Sequence, residues 1–225
     1  MMEHKKGIYE NYIKRILDII LSLVALVCLS PILLIVAILV RVKLGSPVLF
    51  KQKRPGKDEK IFTLYKFRTM TDERDKPGNL LPDSQRLTKF GKFLRSTSLD
   101  ELPELINIIK GDMSIVGPRP QLVRDMLFMT DEQRKRHSAR QGLTGLAQVN
   151  GRNNITWEDK LNYDLEYIQN ITFIGDLKII LKTVLKVFRK DDINTDGMDT
   201  AEDLCDYLLR TNKITEDEYK EKLKI

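Results

Sequence analysis

Residues 16–40 read ILDIILSLVALVCLSPILLIVAILV, and this apolar run sets the architecture of the chain. It is as long as the roughly 20 apolar residues that a bilayer-spanning helix needs. Asp18 lies near its start, and Ser30 and Pro31 lie near its middle. Because proline removes a helical hydrogen bond and clashes with the preceding turn, we expect a break at Ser30-Pro31. Neither of the two resulting short helices could cross a bilayer alone.

Basic residues flank this run on both sides. They are Lys5, Lys6, Lys14 and Arg15 before it and Arg41, Lys43, Lys51, Lys53 and Arg54 after it. Lysine and arginine mark the cytoplasmic side of a membrane segment, so a re-entrant hairpin is favoured over a straight span, which remains the alternative. The residues before Cys28 do not form a signal-peptide cleavage site, and we expect the segment to stay in the mature protein.

Composition narrows the possible partners. The chain has 225 residues and a net charge of +6, but the residues from Asp191 onward carry −6 and the preceding 190 carry +12. Such a cationic body suits anionic lipid, phosphorylated substrates or nucleic acid, and the absence of a nucleic-acid recognition module argues against the last. Two cysteines and two histidines exclude a disulfide scaffold and a zinc site of ordinary spacing.

The remaining pattern predicts an α+β fold that is mainly helical. Residues 48–50 and 61–65 flank a Pro-Gly turn signal and predict a small β-hairpin. Residues 85–95 and 173–188 have the basic amphipathic pattern of interfacial helices, although a helix packed on a core has the same pattern. We expect a helix over 157–169, a glycine-punctuated loop over 142–151 and two short helices in the tail.

These signals divide the chain into three parts. Residues 1–45 are predicted to form the re-entrant membrane anchor, residues 46–190 the main domain, to which the motifs below assign a catalytic role, and residues 191–225 an acidic C-terminal extension.

The chemistry is predicted to lie within residues 98–120, SLDELPELINIIKGDMSIVGPRP. Asp100 and Glu101 precede Pro103, which is accepted only in the first turn of a helix, so both carboxylates lie at a helix N-terminus that favours anions. A carboxylate there can attack phosphorus or hold a divalent cation. The alternative is structural, because Ser98 and Glu101 match a capping box and Asp100 itself suits an N-cap.

Several cations accompany this acid pair. Arg119 lies between two prolines, which fix the backbone so that the planar guanidinium can bind phosphate with little ordering cost. Lys66, Arg68 and Arg95 are further candidates for binding one pyrophosphate, although a single surface cation is more often simply solvated. Together with the acid pair they indicate a phosphate-handling site.

In these motifs the chain resembles the bacterial sugar transferases known as monotopic phosphoglycosyl transferases. The likeness extends in order from about residue 14 to residue 188. Besides the Ser30-Pro31 pair, it is carried by KFRTM at 66–70, RSTSLDELP at 95–103, GDMS at 111–114, GPRP at 117–120, GLTGLAQVNGR at 142–152 and YD at 163–164. The chain is most similar to small members that resemble the bacillosaminyl phosphotransferase of bacterial N-glycosylation. Gln141 departs from the proline that relatives often have, and the acidic tail lies outside the likeness.

The resemblance implies a reaction in which a sugar 1-phosphate passes from a UDP-sugar to polyprenyl phosphate, usually undecaprenyl phosphate, with release of UMP and a requirement for Mg²⁺. It implies that Asp100 becomes a covalent phosphosugar ester and also holds the metal. Glu101 would assist the acceptor phosphate or position the metal. Lys66, Arg95 and Arg119 would bind phosphates, and Asp164 would be a further active-site acid. The protein would be monotopic, at the cytoplasmic face of the bacterial inner membrane.

A second hypothesis is a membrane-surface interaction protein that binds anionic lipids through its basic helices without catalysis. In that case Asp100 would be only a helix cap.

Overall fold

The computed structural model describes residues 7–151, 155–189 and 202–224. The fold is mainly helical with two small sheets. Its helices are α1 (Lys14–Leu44), α2 (Asp83–Arg86), α3 (Lys89–Ser96), α4 (Glu104–Lys110), α5 (Val123–Met126), α6 (Asp131–Arg134), α7 (Leu146–Asn150), α8 (Trp157–Gln169), α9 (Phe173–Arg189), α10 (Leu204–Arg210) and α11 (Glu216–Leu223). Its strands are β1 (Leu49–Pro55), β2 (Ile61–Phe67), β3 (Met113–Val116) and β4 (Gln141–Thr144).

The apolar run forms one helix, so the expected division into two helices at Ser30-Pro31 is corrected. Helix α1 continues through Pro31, which has no N–H to donate to the carbonyl of Val27, four residues earlier. The Ser30 hydroxyl donates a hydrogen bond of 2.8 Å to that same carbonyl. The preceding serine thus replaces the bond that proline removes, as Ser and Thr side chains do in apolar surroundings.

Helix α1 lies along the rest of the protein with one face buried. Asp18 and Ser22 are buried near its start, and Val36, Val40 and Leu44 are buried near its end. The other faces carry exposed apolar side chains, including Val27, which is 72% exposed. With the π-helical turn before it, this helix is long and apolar enough to cross a membrane by length and composition.

The predicted β-hairpin is confirmed. Strands β1 and β2 pair antiparallel, and Leu49 lies opposite Phe67. Helix α4 packs against β2, where Asn107 accepts a hydrogen bond from the Tyr65 N–H and donates one of 2.7 Å to the Thr63 carbonyl. This buried asparagine fixes the register between helix and strand, and therefore the place of Lys66 relative to the start of α4.

A second sheet was not predicted. Strands β3 and β4 pair parallel, so part of the expected loop over 142–151 is a strand and part is the helix α7. The backbones meet closely here: a Cβ on Gly142 would lie 2.1 Å from the Gly117 nitrogen, and one on Gly145 would lie 2.1 Å from the Gly117 oxygen. Only glycine permits this crossing, which leads directly into Arg119.

The amphipathic segment at 85–95 is interrupted rather than continuous. Helix α2 ends at Arg86 and α3 starts after Thr88, whose hydroxyl accepts a hydrogen bond from the Gly91 N–H. The capping threonine therefore starts a second helix within a segment for which periodicity alone predicts a single continuous helix. Helix α9 lies where a helix was predicted, and exposes Phe173, Ile174 and Leu181.

The C-terminal extension forms two short helices as predicted, α10 and α11, while residues 191–201 lie outside the described part. Leu204 and Cys205 are buried in a cluster with Phe128, Trp157 and Leu161. Asp125 accepts a hydrogen bond from the Leu204 N–H, and the tail is therefore packed onto α5 and α8.

We predict that Asp18 joins α1 to the body of the protein. Its carboxylate accepts a buried hydrogen bond from the Ser114 hydroxyl at 2.7 Å and a partly buried one from the Ile115 N–H at 3.0 Å. Asp18→Ala should lower the free energy of unfolding by about 2 kcal/mol, because these two donors lose their acceptor. Ser114→Ala should cost less, and the double variant should lose less than the sum in denaturant unfolding of the detergent-solubilised protein. Strictly additive losses would show that the two side chains act independently.

Candidate active site

The acid pair lies in a short 3₁₀ turn, Leu99–Glu101, that leads into α4. Ser98 has φ of 54°, in the left-handed region, and its side chain makes no capping hydrogen bond. The capping alternative is therefore absent: within the described residues neither Asp100 nor Glu101 accepts a bond from the amides that start the helix. The left-handed Ser98 backbone instead leads into a turn from which Glu101 contacts β2 and the loop that follows β3.

Glu101 is held between two cations. Its Oε1 accepts a hydrogen bond of 2.8 Å from Lys66 Nζ on β2 and one of 2.6 Å from the Arg119 guanidinium. Lys66 also lies 3.1 Å from the carboxylate of Glu104 in the first turn of α4. Three elements thus meet in one charge network of two cations and two carboxylates, with Asp100 next to it.

Asp100 differs from its neighbours because no hydrogen bond from a described residue reaches its carboxylate, although it is 92% buried. Burial, with the nearby negative charge of Glu101, raises the pKa of Asp100 to about 6. Lys66, Arg95 and Arg119 lower that pKa in part. A buried carboxylate near three cations but bonded to none keeps its lone pairs available for a ligand.

The pKa values of the other two acids, Glu101 and Glu104, are shifted in opposite directions. Burial opposes the charge on Glu101, but Arg119 and Lys66 outweigh it, and the pKa of Glu101 lies well below the usual range. Burial raises the pKa of Glu104 to about 7, and the proximity of Glu101 adds to the effect. One carboxylate is thus firmly ionised and the other is poised near neutrality, which is a pattern that enzymes use in active sites.

Arg119 is fixed through its backbone as well as its side chain. The Gly142 N–H bonds the Pro118 carbonyl at 2.8 Å, and the Arg136 guanidinium donates a hydrogen bond of 2.6 Å to the Arg119 carbonyl. The fully buried Arg136 is itself paired with Asp164 at 2.7 Å. Asp164 therefore lies behind the site and supports Arg119, and no contact joins it to Asp100.

Two of the predicted phosphate-binding arginines are placed differently. Arg95 donates a hydrogen bond to the Thr69 hydroxyl at 3.1 Å and lies close enough to influence Asp100. Arg68 is outside this cluster, because it donates to the carbonyls of Ser46 and Met70 and pairs with Asp72. Its phosphate-binding role stays a prediction, but its observed bonds fasten the chain that leaves α1.

Sequence reasoning missed Glu104 and Arg136. Glu104 follows Glu101 by three residues across the start of a helix, and this spacing was the available signal. Arg136 lies in a polar stretch and carries no comparable signal, because its partner Asp164 is distant in sequence.

The fit of this site to Mg²⁺ follows from its donors. Among the described residues no cluster of three or more potential ligands is arranged to enclose a metal. Magnesium is commonly held by one or two carboxylates together with substrate phosphates rather than by a protein cage. The unbonded carboxylate of Asp100 meets that requirement.

Comparison with known proteins gives the family. Residues 9–190 match the family model described as bacterial sugar transferase. The chain is 52% identical over 190 residues to the sugar transferase EpsL of Bacillus subtilis (strain 168), an alignment that covers 84% of this chain and 94% of EpsL. It is 44% identical over 185 residues to the UDP-glucose:undecaprenyl-phosphate glucose-1-phosphate transferase of Klebsiella pneumoniae, covering 78% of this chain but 40% of that protein.

A third relative is the exopolysaccharide production protein ExoY of Sinorhizobium fredii, 38% identical over 189 residues, covering 76% of this chain and 83% of ExoY. The matched region contains the whole charge network around Asp100 and ends before the described C-terminal helices. The chain therefore belongs to the bacterial sugar transferase family and is a transferase.

Proposed function

We propose that the chain transfers a sugar 1-phosphate from a UDP-sugar to undecaprenyl phosphate and releases UMP through a covalent phosphosugar ester on Asp100. The observation that carries this proposal is the buried Asp100 carboxylate, which no described residue hydrogen-bonds although Lys66 and Arg119 lie beside it. The names of the enzymes from Klebsiella pneumoniae and Escherichia coli support the substrates, since both name UDP-glucose and undecaprenyl phosphate.

In the first step an Asp100 oxygen attacks the phosphorus that bears the sugar. A bond forms between that oxygen and phosphorus, and the bond from phosphorus to the bridging oxygen of the pyrophosphate breaks. The electron pair leaves with UMP. In the second step a phosphate oxygen of the lipid attacks the same phosphorus, the Asp100 ester bond breaks, and the carboxylate is regenerated.

The cations divide the remaining work. Arg119 is held by Glu101 and by the Arg136 bond to its carbonyl, so it is pre-organised to bind phosphate oxygens as charge develops. Lys66 and Arg95 add positive charge beside Asp100. Asp100 would hold Mg²⁺ together with the donor phosphates, and when bound the ion supplies charge neutralisation for attack and departure.

We further propose a monotopic placement at the cytoplasmic face of the bacterial inner membrane. Asp18 near the start of α1 and Val40 near its end both pack against the same body, through β3 and through a cluster containing Phe67 and Leu94. A helix held at both ends by one soluble body lies within one leaflet more readily than it crosses the bilayer. Exposed apolar side chains of α1 and α9 supply the lipid-facing surface.

The covalent step is tested by intact mass measurement of protein mixed with UDP-sugars and Mg²⁺ without lipid. We expect a mass gain of one phosphosugar, lost on adding undecaprenyl phosphate. Asp100→Asn should form no adduct while keeping the fold, because the amide is a poor nucleophile. Asp217→Asn, at an exposed position of α11, is the matched control and should retain the adduct. An adduct of normal yield on Asp100→Asn would assign the nucleophile elsewhere.

The pH dependence tests the ionisation of Asp100. The carboxylate attacks as an anion, and burial raises the pKa of Asp100 to about 6. The kcat/KM for UMP release reports ionisation in the free enzyme, so it should rise as pH increases through about 6 and then level off. Glu104→Gln should keep this midpoint. A profile that falls over the same interval would contradict an ionised nucleophile.

Cysteine labelling tests the monotopic placement. In a Cys28→Ser background, Tyr12→Cys and Lys43→Cys place exposed thiols near the two ends of α1. A charged maleimide should label neither in intact cells and both after lysis. Labelling of one site in intact cells would indicate a spanning helix.

A further inference from the structure

We infer that Lys160 and Arg119 form a second phosphate subsite, completed by the C-terminal helices, that binds the phosphate of the departing nucleotide. The inference rests on the proposed function, because it assigns the UMP end of the donor to a place on the protein. Arg119 also bonds Glu101 of the acid pair, and the other parts of the subsite belong to α8 and to the tail.

Helix α8 presents Lys160 on the side that faces Arg119. Asp164 follows Lys160 by four residues, so both lie on one face of the helix. Asp164 pairs with Arg136, which holds the Arg119 carbonyl. Lys160 therefore lies one turn from the residue that supports Arg119 from behind.

The Lys160 ammonium is held in place without being neutralised. It lies 4.9 Å from the centroid of the Trp157 ring, a cation–π contact that orients the charge but leaves its donors available. Trp157 is buried, and its indole N–H donates a hydrogen bond of 3.1 Å to the Glu202 carbonyl in the tail. Within the described residues no carboxylate lies within ion-pair distance of this ammonium.

The carboxylates that could neutralise Lys160 are engaged elsewhere, mostly by the tail. Arg210 forms two bonds to the Glu202 carboxylate, at 2.7 and 2.8 Å. Glu158 accepts a hydrogen bond from Tyr207 at 2.7 Å and pairs with Lys213. The charge of Glu202 still opposes the lowering of the Lys160 pKa, but the bonds within the docked tail leave the Lys160 ammonium without an ion pair among the described residues.

The positively charged side chains of Lys160 and Arg54 both lie near that of Arg119. Burial and the neighbouring positive charge of Arg119 lower the pKa of Lys160, and the same two causes lower the pKa of Arg54 to about 10. The Nε of Arg54 is buried without a hydrogen-bond partner, and one of its terminal nitrogens donates to the Pro120 carbonyl. Arg119 is paired with Glu101, and the charges of Asp125 and Glu104 act on Arg54, but Lys160 has no ion pair among the described residues, so a phosphate bound between Lys160 and Arg119 would supply the missing negative charge.

The donor nucleotide fits this subsite better than the lipid. Trp157 packs in a buried apolar cluster with the tail, and the groups that contact its ring and its indole N–H are Lys160 and the Glu202 carbonyl, whereas most of the large exposed apolar side chains belong to α1 and α9. Arg119 bonds Glu101 on one side and is 42% exposed on the other, so it can contact both phosphates of one pyrophosphate. Lys160 would then bind the phosphate that stays with uridine.

The test uses the full chain and its single tryptophan. Because Trp157 is the only tryptophan in the sequence and lies under Lys160, its fluorescence reports ligands at this subsite. Detergent-solubilised protein is titrated with UMP, with uridine and with the short-chain lipid farnesyl phosphate, and calorimetry provides the same dissociation constants independently of the fluorophore.

Lys160→Met should raise the UMP dissociation constant about tenfold through loss of a charge-assisted contact, whereas Lys160→Arg should stay within about threefold. Uridine should bind both variants like the unmodified protein. Lys220→Met, on an exposed turn of α11, is the matched control and should change nothing.

Equal UMP affinity in Lys160→Met and the unmodified protein would overturn the inference. A Lys160-dependent signal with farnesyl phosphate but none with UMP would overturn the assignment to the donor. Failure of the proposed covalent reaction would appear separately, as the absence of any phosphosugar adduct on the unmodified protein, and would leave the UMP titration readable.

Discussion

The site depends on one carboxylate oxygen, Oε1 of Glu101, that binds Lys66 and Arg119 together. This shared bond brings β2 and the loop after β3 to the start of α4. It also uses the cations in a way that leaves Asp100 without a hydrogen bond while keeping their charge beside it. A carboxylate nucleophile needs positive charge nearby but few hydrogen bonds. A fully hydrogen-bonded carboxylate attacks poorly, and one whose charge is not compensated becomes protonated.

The layers behind this oxygen explain why so many buried polar residues occur in a small protein. Asp164 orients Arg136, Arg136 fixes the Arg119 carbonyl, and Asn107 sets the register of α4 on β2. Each of these residues acts at a distance from the reacting atoms. Their burial costs free energy that their hydrogen bonds offset only in part, because the Oδ1 atom of Asp164 is buried without a hydrogen-bond partner.

The sequence predicted the parts that depend on local signals. Asp100, Glu101 and Arg119 were predicted to lie together because proline and the adjacent acids are a signal within a few residues, and the structure places them together. The β-hairpin was predicted from its turn and is confirmed. The parallel pairing of β3 with β4 and the Arg136–Asp164 pair join residues far apart in the chain and leave no periodicity. The break at Pro31 was wrong because the Ser30 bond to Val27 compensates locally.

The close crossing of Gly117 with Gly142 and Gly145 has a genetic consequence. Any side chain at these positions would push two backbone segments apart and carry Arg119 with them. A survey of spontaneous inactive alleles should therefore recover replacements at glycines that touch no substrate, and suppressors should be rare there because no distant substitution can remove a Cβ atom. The lack of room for a Cβ atom at these glycines therefore restricts which substitutions preserve activity, as the charged residues of the site also do.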